Sequence, residues 1–118
     1  MINKKILYVE EEPLLREAYV GFLFKKGYDV IPVENVKKAF ENYQKEKVDL
    51  VFTTIGQEEK GIQLIENIRE VNQEVPILAW TGGFRSVLKK ARDKGATATL
   101  EKPCDPQEVF DTLEEMVG

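Results

Sequence analysis

The stretch Ile6–Pro13, with the sequence ILYVEEEP, joins a short apolar run to an acidic turn and then to a helix start. Four consecutive apolar residues predict a strand that is covered on both faces. Glu12 followed by Pro13 predicts the first turn of a helix, because proline is tolerated there and acidic side chains favour the positive end of a helix. This stretch therefore predicts one strand-to-helix unit of an α/β fold.

The same strand-and-helix cycle recurs to the end of the chain. Strands are predicted at 6–9, 29–33, 48–54, 75–81 and 96–101, and helices at 13–27, 35–46, 61–72, 85–94 and from 105 onward. Helical spacing predicts that the first helix buries Leu15, Ala18 and Phe22, and that the third helix buries a set that includes Val71. Strict alternation predicts a parallel sheet with helices on both faces, in a doubly wound order.

Length and composition exclude several classes of protein. The 118 residues predict one domain spanning 1–118, and the net charge of −4 argues against nucleic-acid binding, because no basic excess exists. The absence of histidine removes His-based acid–base chemistry and His-ligated zinc, and the single cysteine, Cys104, excludes an internal disulfide. No apolar run approaches the ~20 residues of a membrane helix, so we expect no membrane association and a cytoplasmic location.

The residues at the predicted strand ends carry the chemistry, because ligands bind beyond the carboxyl ends of parallel strands. In their order and their residue types, four stretches of the chain resemble a bacterial response-regulator receiver domain: 6–13, 48–54, 76–82 and 95–103. The resemblance covers essentially the whole chain. It implies a flavodoxin-like (βα)₅ fold, with a doubly wound, five-stranded parallel sheet in the strand order 2-1-3-4-5.

The site residues that the resemblance implies depart from the family pattern at most positions. Thr54 stands where the family has its phosphoacceptor aspartate, Glu10 and Glu11 stand for its acidic pair, and Thr99 stands for its aromatic switch residue. Only Thr81 and Lys102 match the family pattern, at the positions that contact the phosphoryl group in the family. Thr54 cannot form an aspartyl phosphate and supplies no anionic oxygen, so Glu10 and Glu11 are left to bind Mg²⁺ weakly or not at all.

Three further features have plain structural interpretations. We expect Lys102 to point into the acidic crevice and to pair with Glu11 or Glu10, with Thr54 hydrogen-bonded nearby, which would hold the crevice in one fixed state. Thr81-Gly82-Gly83 lacks the spacing of a phosphate-binding loop, which makes an anion site there the less favoured interpretation. Trp80 is predicted to be core, and Cys104 to be an inert thiol.

The predicted function is therefore that of a pseudo-receiver, a signalling module that binds a partner without a phosphorylation switch and has no enzyme activity. The resemblance implies a histidine kinase or an output protein as partner, bound through the last strand and the last two helices. That face would include Phe84, Arg85, Val87, Thr99, Glu101, Gln107 and Phe110. A weak homodimer through the last helices stays open.

Two alternatives remain at this stage. One is a small-ligand or nucleotide-binding domain that uses the same crevice, since this fold hosts many functions. The other is a receiver regulated by phosphorylation of a residue other than aspartate. We expect no output domain within these 118 residues, unless the chain is a piece of a larger regulator.

Overall fold

The structure is a computed structural model that describes residues 4–56, 59–83 and 85–117. Strands and helices alternate along the chain: β1 (Lys5–Val9), α1 (Pro13–Lys25), β2 (Asp29–Val33), α2 (Val36–Lys45), β3 (Leu50–Thr54), α3 (Lys60–Val71), β4 (Ile77–Thr81), α4 (Arg85–Asp93), β5 (Ala98–Glu101) and α5 (Pro106–Val117). The predicted alternation is confirmed, although β3, β4 and β5 each begin two residues later than the apolar pattern indicated. Within the described ranges, no helix is both long enough and apolar enough to cross a membrane.

The strands form one parallel sheet in the order β2-β1-β3-β4-β5. This is the doubly wound strand order that was predicted, with β2 and β5 at the edges. Side chains alternate across the sheet, so each of the central strands β1, β3 and β4 supplies apolar residues to two cores. One core lies under α2, α3 and α4, and the other lies under α1 and α5. Because all strands are parallel, their carboxyl ends meet at one edge of the sheet.

Local capping explains where several helices begin. The Glu12 carboxylate accepts a hydrogen bond from the Leu14 backbone N–H (3.2 Å), and the Asn35 side chain accepts one from the Lys38 N–H (2.9 Å). Asp105 does the same for the Gln107 N–H at the start of α5 (2.9 Å). These bonds satisfy N–H groups that have no partner within the helix. They confirm the predicted helix starts at Glu12-Pro13, Asn35 and Asp105-Pro106.

The buried face of α1 differs from the prediction. Tyr19 and Leu23 are the buried residues of this helix, and Leu15 packs half-buried against the same core, whereas Ala18 is exposed and Phe22 retains 38% of its surface. The reason is aromatic packing, since the Tyr19 ring lies 5.0 Å from the Trp80 ring, edge to face. The helix therefore turns Tyr19 toward the sheet.

The last residue of α3 also differs from the prediction. Val71, predicted to be buried, is 62% exposed at the helix end. The three isoleucines of this helix, Ile62, Ile65 and Ile68, are buried as predicted. The helical period therefore holds for the body of α3 and fails only in its last turn.

Candidate functional site

The ladder hydrogen bonds of the sheet continue past the strand ends and fix the residues beyond them. The Glu10 N–H donates to the Val33 carbonyl (3.1 Å), and the Lys102 N–H donates to the Thr81 carbonyl (2.8 Å). Thr54 is the last residue of β3 and lies opposite Trp80 of β4 in the parallel register. Glu10, Thr54 and Lys102 are therefore positioned by rigid backbone rather than by free loops.

These three residues meet through the side chain of Lys102. Its Nζ lies 2.8 Å from Glu10 Oε1 and donates a second hydrogen bond to Thr54 Oγ1 at 3.2 Å. Glu10 and Thr54 are buried, with 3% and 5% of their surface exposed, whereas the Lys102 side chain keeps 21%. The expectation that Lys102 turns into the crevice and pairs with a glutamate agrees with this geometry, and the glutamate is Glu10.

Both oxygens of the Glu10 carboxylate have a donor. Oε1 accepts from Lys102, and Oε2 accepts from the Glu12 backbone N–H at 3.1 Å. Arg16 adds a third element, because its guanidinium donates to the Glu10 carbonyl at 2.8 Å and to the Glu11 carbonyl at 3.5 Å. The buried negative charge is thus matched by one cation and surrounded by donors, as a buried carboxylate requires.

Two aromatic rings lie beneath this cluster. The Lys102 Nζ is 4.8 Å from the centroid of the Trp80 ring, a cation–π distance. Tyr8 is fully buried in the same core, and burial, followed by the negative charge of Glu10, raises the pKa of its phenol well above its usual value. Sequence reasoning placed Trp80 in the core, which is confirmed, but did not foresee its contact with Lys102.

Glu11 lies apart from the cluster. It is exposed, and its carboxylate lies directly above Gly56, where a Cβ would come within 2.1 Å of Glu11 Oε1. The φ angle of Gly56 is +68°, so glycine there serves both the backbone conformation and the close approach of Glu11. Among the described residues, Glu11 has no ion pair with Lys102.

The cluster lies at the base of an open cleft of about 480 Å³. The cleft is lined by Glu10, Glu11, Glu12, Thr54, Gly56, Thr81, Gly82, Gly83 and Lys102. Thr81 is nearly buried, and its hydroxyl accepts the Gly83 N–H at 3.0 Å. One of the N–H groups that could have faced an anion is therefore used inside its own turn, which argues against the anion site considered for this loop.

The donor set does not fit a magnesium ion. Mg²⁺ takes near-octahedral oxygen ligands, usually with one or two carboxylates free to bind it. Here both Glu10 oxygens are engaged, the Thr54 oxygen is neutral and receives a hydrogen bond from an ammonium, and only Glu11 has a free carboxylate. Across residues 4–56, 59–83 and 85–117, no group of three potential acidic, cysteine or histidine ligands comes together.

Thr99 is not part of this cleft. It lies in edge strand β5 and lines a separate depression between α4 and α5, together with Arg85, Leu88, Arg92 and Cys104. Burial is the main cause that raises the pKa of the Cys104 thiol, followed by the charges of Glu108 and Asp105. A raised pKa keeps the thiol protonated at neutral pH, in line with the predicted inert cysteine.

The exposed side chains of the face that the resemblance implied for a partner are largely polar. Phe110 is buried and Val87 is half-buried, whereas Arg85, Glu101 and Gln107 are exposed. Arg85 and Glu101 form a surface ion pair at 2.9 Å. Phe84, the remaining aromatic expected there, lies outside the described residues.

Comparisons with known proteins agree on one family. The family model of the response regulator receiver domain matches residues 6–114. The chain is 30% identical over 116 residues to the response regulator receiver protein CpdR of Brucella abortus, covering 97% of each chain.

Solved structures share the fold over nearly the whole chain. The chemotaxis response regulator CheY4 of Vibrio cholerae is similar with a TM-score of 0.87 and 24% identity, over 98% of this chain and 99% of that one. The receiver domain of the sensor histidine kinase PA1611 of Pseudomonas aeruginosa is similar with a TM-score of 0.89 and 22% identity, over 99% of each chain. In that structure a magnesium ion is coordinated in the active-site cleft.

Proposed function

The chain belongs to the response regulator receiver domain family, and from this premise we propose that it is a pseudo-receiver. It transmits signals by binding a partner protein, without an aspartyl phosphorylation step. Receiver domains of two-component systems interact with histidine kinases and output domains, and the proposed partner is a protein of one of these classes. The proposal treats residues 1–118 as a single receiver-like domain, cytoplasmic and without enzyme activity.

One observation carries the proposal: the Lys102 ammonium is already bonded to Glu10 at 2.8 Å and to Thr54 at 3.2 Å. A receiver that responds to phosphate needs an anionic acceptor at the end of β3 and a lysine that is free to bind the new phosphoryl oxygens. Thr54 supplies a neutral hydroxyl, and no histidine exists in the chain to activate it as a nucleophile. Glu10 engages the lysine in the absence of any phosphoryl group.

The partner surface in this proposal is the face formed by β5, α4 and α5. Its described exposed side chains include Arg85, Glu101 and Gln107, which suit a polar and charge-dependent interface. Thr99 contributes to the depression in that face and replaces a bulky ring with a small hydroxyl. The proposed face therefore lacks an aromatic side chain at position 99.

The experiment is intact-mass measurement after incubation with acetyl phosphate and Mg²⁺. We expect no phosphoryl adduct on the wild-type protein, because Thr54 at the end of β3 has no carboxylate to accept the phosphoryl group. Thr54→Asp restores an acceptor, and Thr54→Asn is its matched control, with the same shape and no nucleophilic oxygen. A stoichiometric adduct on the wild-type protein would contradict the proposal.

Binding of the partner is the second half of the test. A partner recovered with the wild-type protein should bind with the same affinity after acetyl phosphate treatment. It should bind more weakly after Arg85→Glu, which reverses a charge on the proposed face. Equal binding of this variant would remove the β5–α4–α5 face from the proposal and leave the phosphorylation result standing.

A further inference from the structure

A continuous chain of side-chain contacts leads from the cleft to the surface between α1 and α5. It begins at the Lys102 ammonium, which lies 4.8 Å from the centroid of the Trp80 ring. Trp80 meets Tyr19 of α1 edge to face, with the ring centroids 5.0 Å apart. The lysine of the cleft therefore has an aromatic contact that leads out of the sheet and into the first helix.

The chain of contacts continues from Tyr19 to the surface. The Tyr19 ring meets the Phe22 ring at 5.4 Å, and Phe22 meets Phe110 of α5 at 6.4 Å. Lys26, the residue that follows α1, places its ammonium 5.1 Å from the centroid of the Phe110 ring. We call Phe22, Lys26 and Phe110 the α1–α5 seam. The exposed fraction rises from 2% at Trp80 to 38% at Phe22, so the chain joins the interior to the surface.

The ring contacts in this chain are directional. Its three successive ring pairs, which run from Trp80 through Tyr19 and Phe22 to Phe110, have interplanar angles of 66°, 72° and 85°. The face of an aromatic ring is negative and its edge is positive, so an edge-to-face pair has a preferred orientation. A rotation of one ring therefore changes the orientation that its neighbour prefers, and a close-packed interior transmits the displacement.

Packing rather than hydrogen bonding fixes the Trp80 indole. Its Nε1 is buried and has no hydrogen-bond partner among the residues that the structure describes. A buried indole N–H usually finds an acceptor, which would fix the position of the ring. Here the neighbours of the ring are Tyr19, Phe52 and the Lys102 ammonium. Of these neighbours, Lys102 is the one that also takes part in the ion pair of the cleft.

We propose that this chain of contacts couples the cleft to the α1–α5 seam, with Trp80 as the positioning residue that seats the Lys102 ammonium. When Lys102 leaves Glu10, its ammonium also leaves the face of the Trp80 ring, because one side chain makes both contacts. The indole then reorients against Tyr19, and the rings of the seam repack. An anion that enters the cleft and competes with Glu10 for the lysine therefore changes the shape of the seam.

The seam shares a helix with the β5–α4–α5 face, since Phe110 is a residue of α5. The coupling therefore joins the cleft to one element of the proposed partner face. It goes beyond the proposed function, because it rests on the contacts of Lys102 and Trp80 and not on the acceptor chemistry of Thr54. The acetyl phosphate experiment has the same expected outcome with or without the coupling, so the two proposals fail separately.

The test is NMR spectroscopy of the full chain with ¹³C-labelled phenylalanine rings, which reports on the seam through Phe22 and Phe110. Glu10→Gln removes the charge that holds Lys102 in the cleft and leaves the rest of the chain of contacts in place. We expect this variant to shift the ring signals of both phenylalanines of the seam. Phe40 packs against the core on the other side of the sheet and is the internal reference, whose signal should stay in place.

Variants at Phe22 decide whether the rings carry the effect. Phe22→Leu interrupts the chain at its most exposed ring, and in that background Glu10→Gln should no longer move the Phe110 signal. Phe22→Tyr keeps a ring at the same position and should preserve the response. Lys89→Met, which breaks an exposed ion pair on α4, should move neither seam signal. A Phe110 signal that ignores Glu10→Gln, a Phe40 signal that moves as far as that of Phe110, or a response that survives Phe22→Leu would each overturn the inference.

Discussion

The ion pair between Lys102 and Glu10 predicts an asymmetric loss of stability when each partner is removed. Lys102→Met keeps the length of the side chain but leaves Glu10, which is only 3% exposed, with the Glu12 backbone N–H as the remaining donor to its carboxylate. Glu10→Gln removes the charge but keeps an oxygen that can accept from Lys102. In that variant Lys102 can also turn toward water, because 21% of its side chain is already exposed.

The magnitudes follow from what each variant leaves unpaired. Breaking a fully buried ion pair costs ~3–5 kcal/mol, and the partial exposure of Lys102 reduces this to about 2 kcal/mol for Lys102→Met. Glu10→Gln exchanges a charge-assisted hydrogen bond for a neutral one and should cost about 1 kcal/mol. Thr54→Val removes one 3.2 Å hydrogen bond and should cost about 0.5 kcal/mol.

Urea unfolding followed by tryptophan fluorescence measures these values directly. Trp80 is the only tryptophan, is 2% exposed, and lies 4.8 Å beneath the Lys102 ammonium. With a slope of ~1.5 kcal/mol per M, a loss of about 2 kcal/mol lowers the midpoint by about 1.3 M urea. Lys89→Met is the matched control, because its pair with Asp93 is exposed and should be worth about 0.5 kcal/mol or less.

A double-mutant cycle decides whether the two residues act together. The variant Glu10→Gln/Lys102→Met should be less destabilised than the sum of the single variants by about 1 kcal/mol, because the second change removes the charge that the first left unpaired. Additive losses, or a Lys102→Met variant no less stable than the Lys89→Met control, would refute the claim that Lys102 holds the cleft in one state.

Three further predictions concern other parts of the molecule. Gly61→Ala should lower the free energy of unfolding by about 3 kcal/mol or more, since its Cβ would meet the backbone at the end of β3 at 2.2 Å. Gly21→Ala should be neutral or slightly stabilising, because its Cβ would meet nothing within 4 Å. Chemical unfolding of both variants checks this. Burial raises the pKa of Tyr19 to about 12 and that of Tyr8 further, so the native state keeps protons that the unfolded chain releases above pH 10. Stability should therefore fall as the pH rises from 10 to 12, and melting temperatures across that range would show it; a flat profile would contradict the burial of these phenols. Cys104 should react with a thiol reagent more slowly in the native protein than in urea at pH 7.5, because burial raises its pKa, and equal rates would contradict this.

The fold could be predicted because each local signal agrees with the others. Continuous apolar runs mark β1, β3 and β4, while Glu12-Pro13, Asn35 and Asp105-Pro106 mark helix starts, and the structure confirms each of them. The predicted first residues of β3, β4 and β5 were less accurate. Val48, Val75 and Ala96 are apolar and buried or half-buried, yet they do not belong to the strands. An apolar pattern indicates burial, but it does not distinguish a strand from a buried segment that leads into a strand.

The site was predictable in its members but not in its contacts. The rule for parallel sheets identified the strand ends that carry Glu10, Thr54 and Lys102, whose side chains the structure brings together. The choice between Glu10 and Glu11 depended on which side chain points inward, which two adjacent glutamates do not reveal. Arg16 was missed because its role is to donate to backbone carbonyls, and a sequence carries no signal for that beyond its position next to the acidic turn.

The error on α1 shows why a helical period alone did not identify the buried face of this helix. The apolar stripe of Leu15, Ala18 and Phe22 looked like a buried face, yet only Leu15 packs against the core, beside the buried Tyr19 and Leu23. The helix is apolar on more than one side, and a helix of that kind is normally covered on more than one side. The apolar residues of such a helix do not reveal which side faces the sheet, and in α1 the contact between the Tyr19 and Trp80 rings decides it.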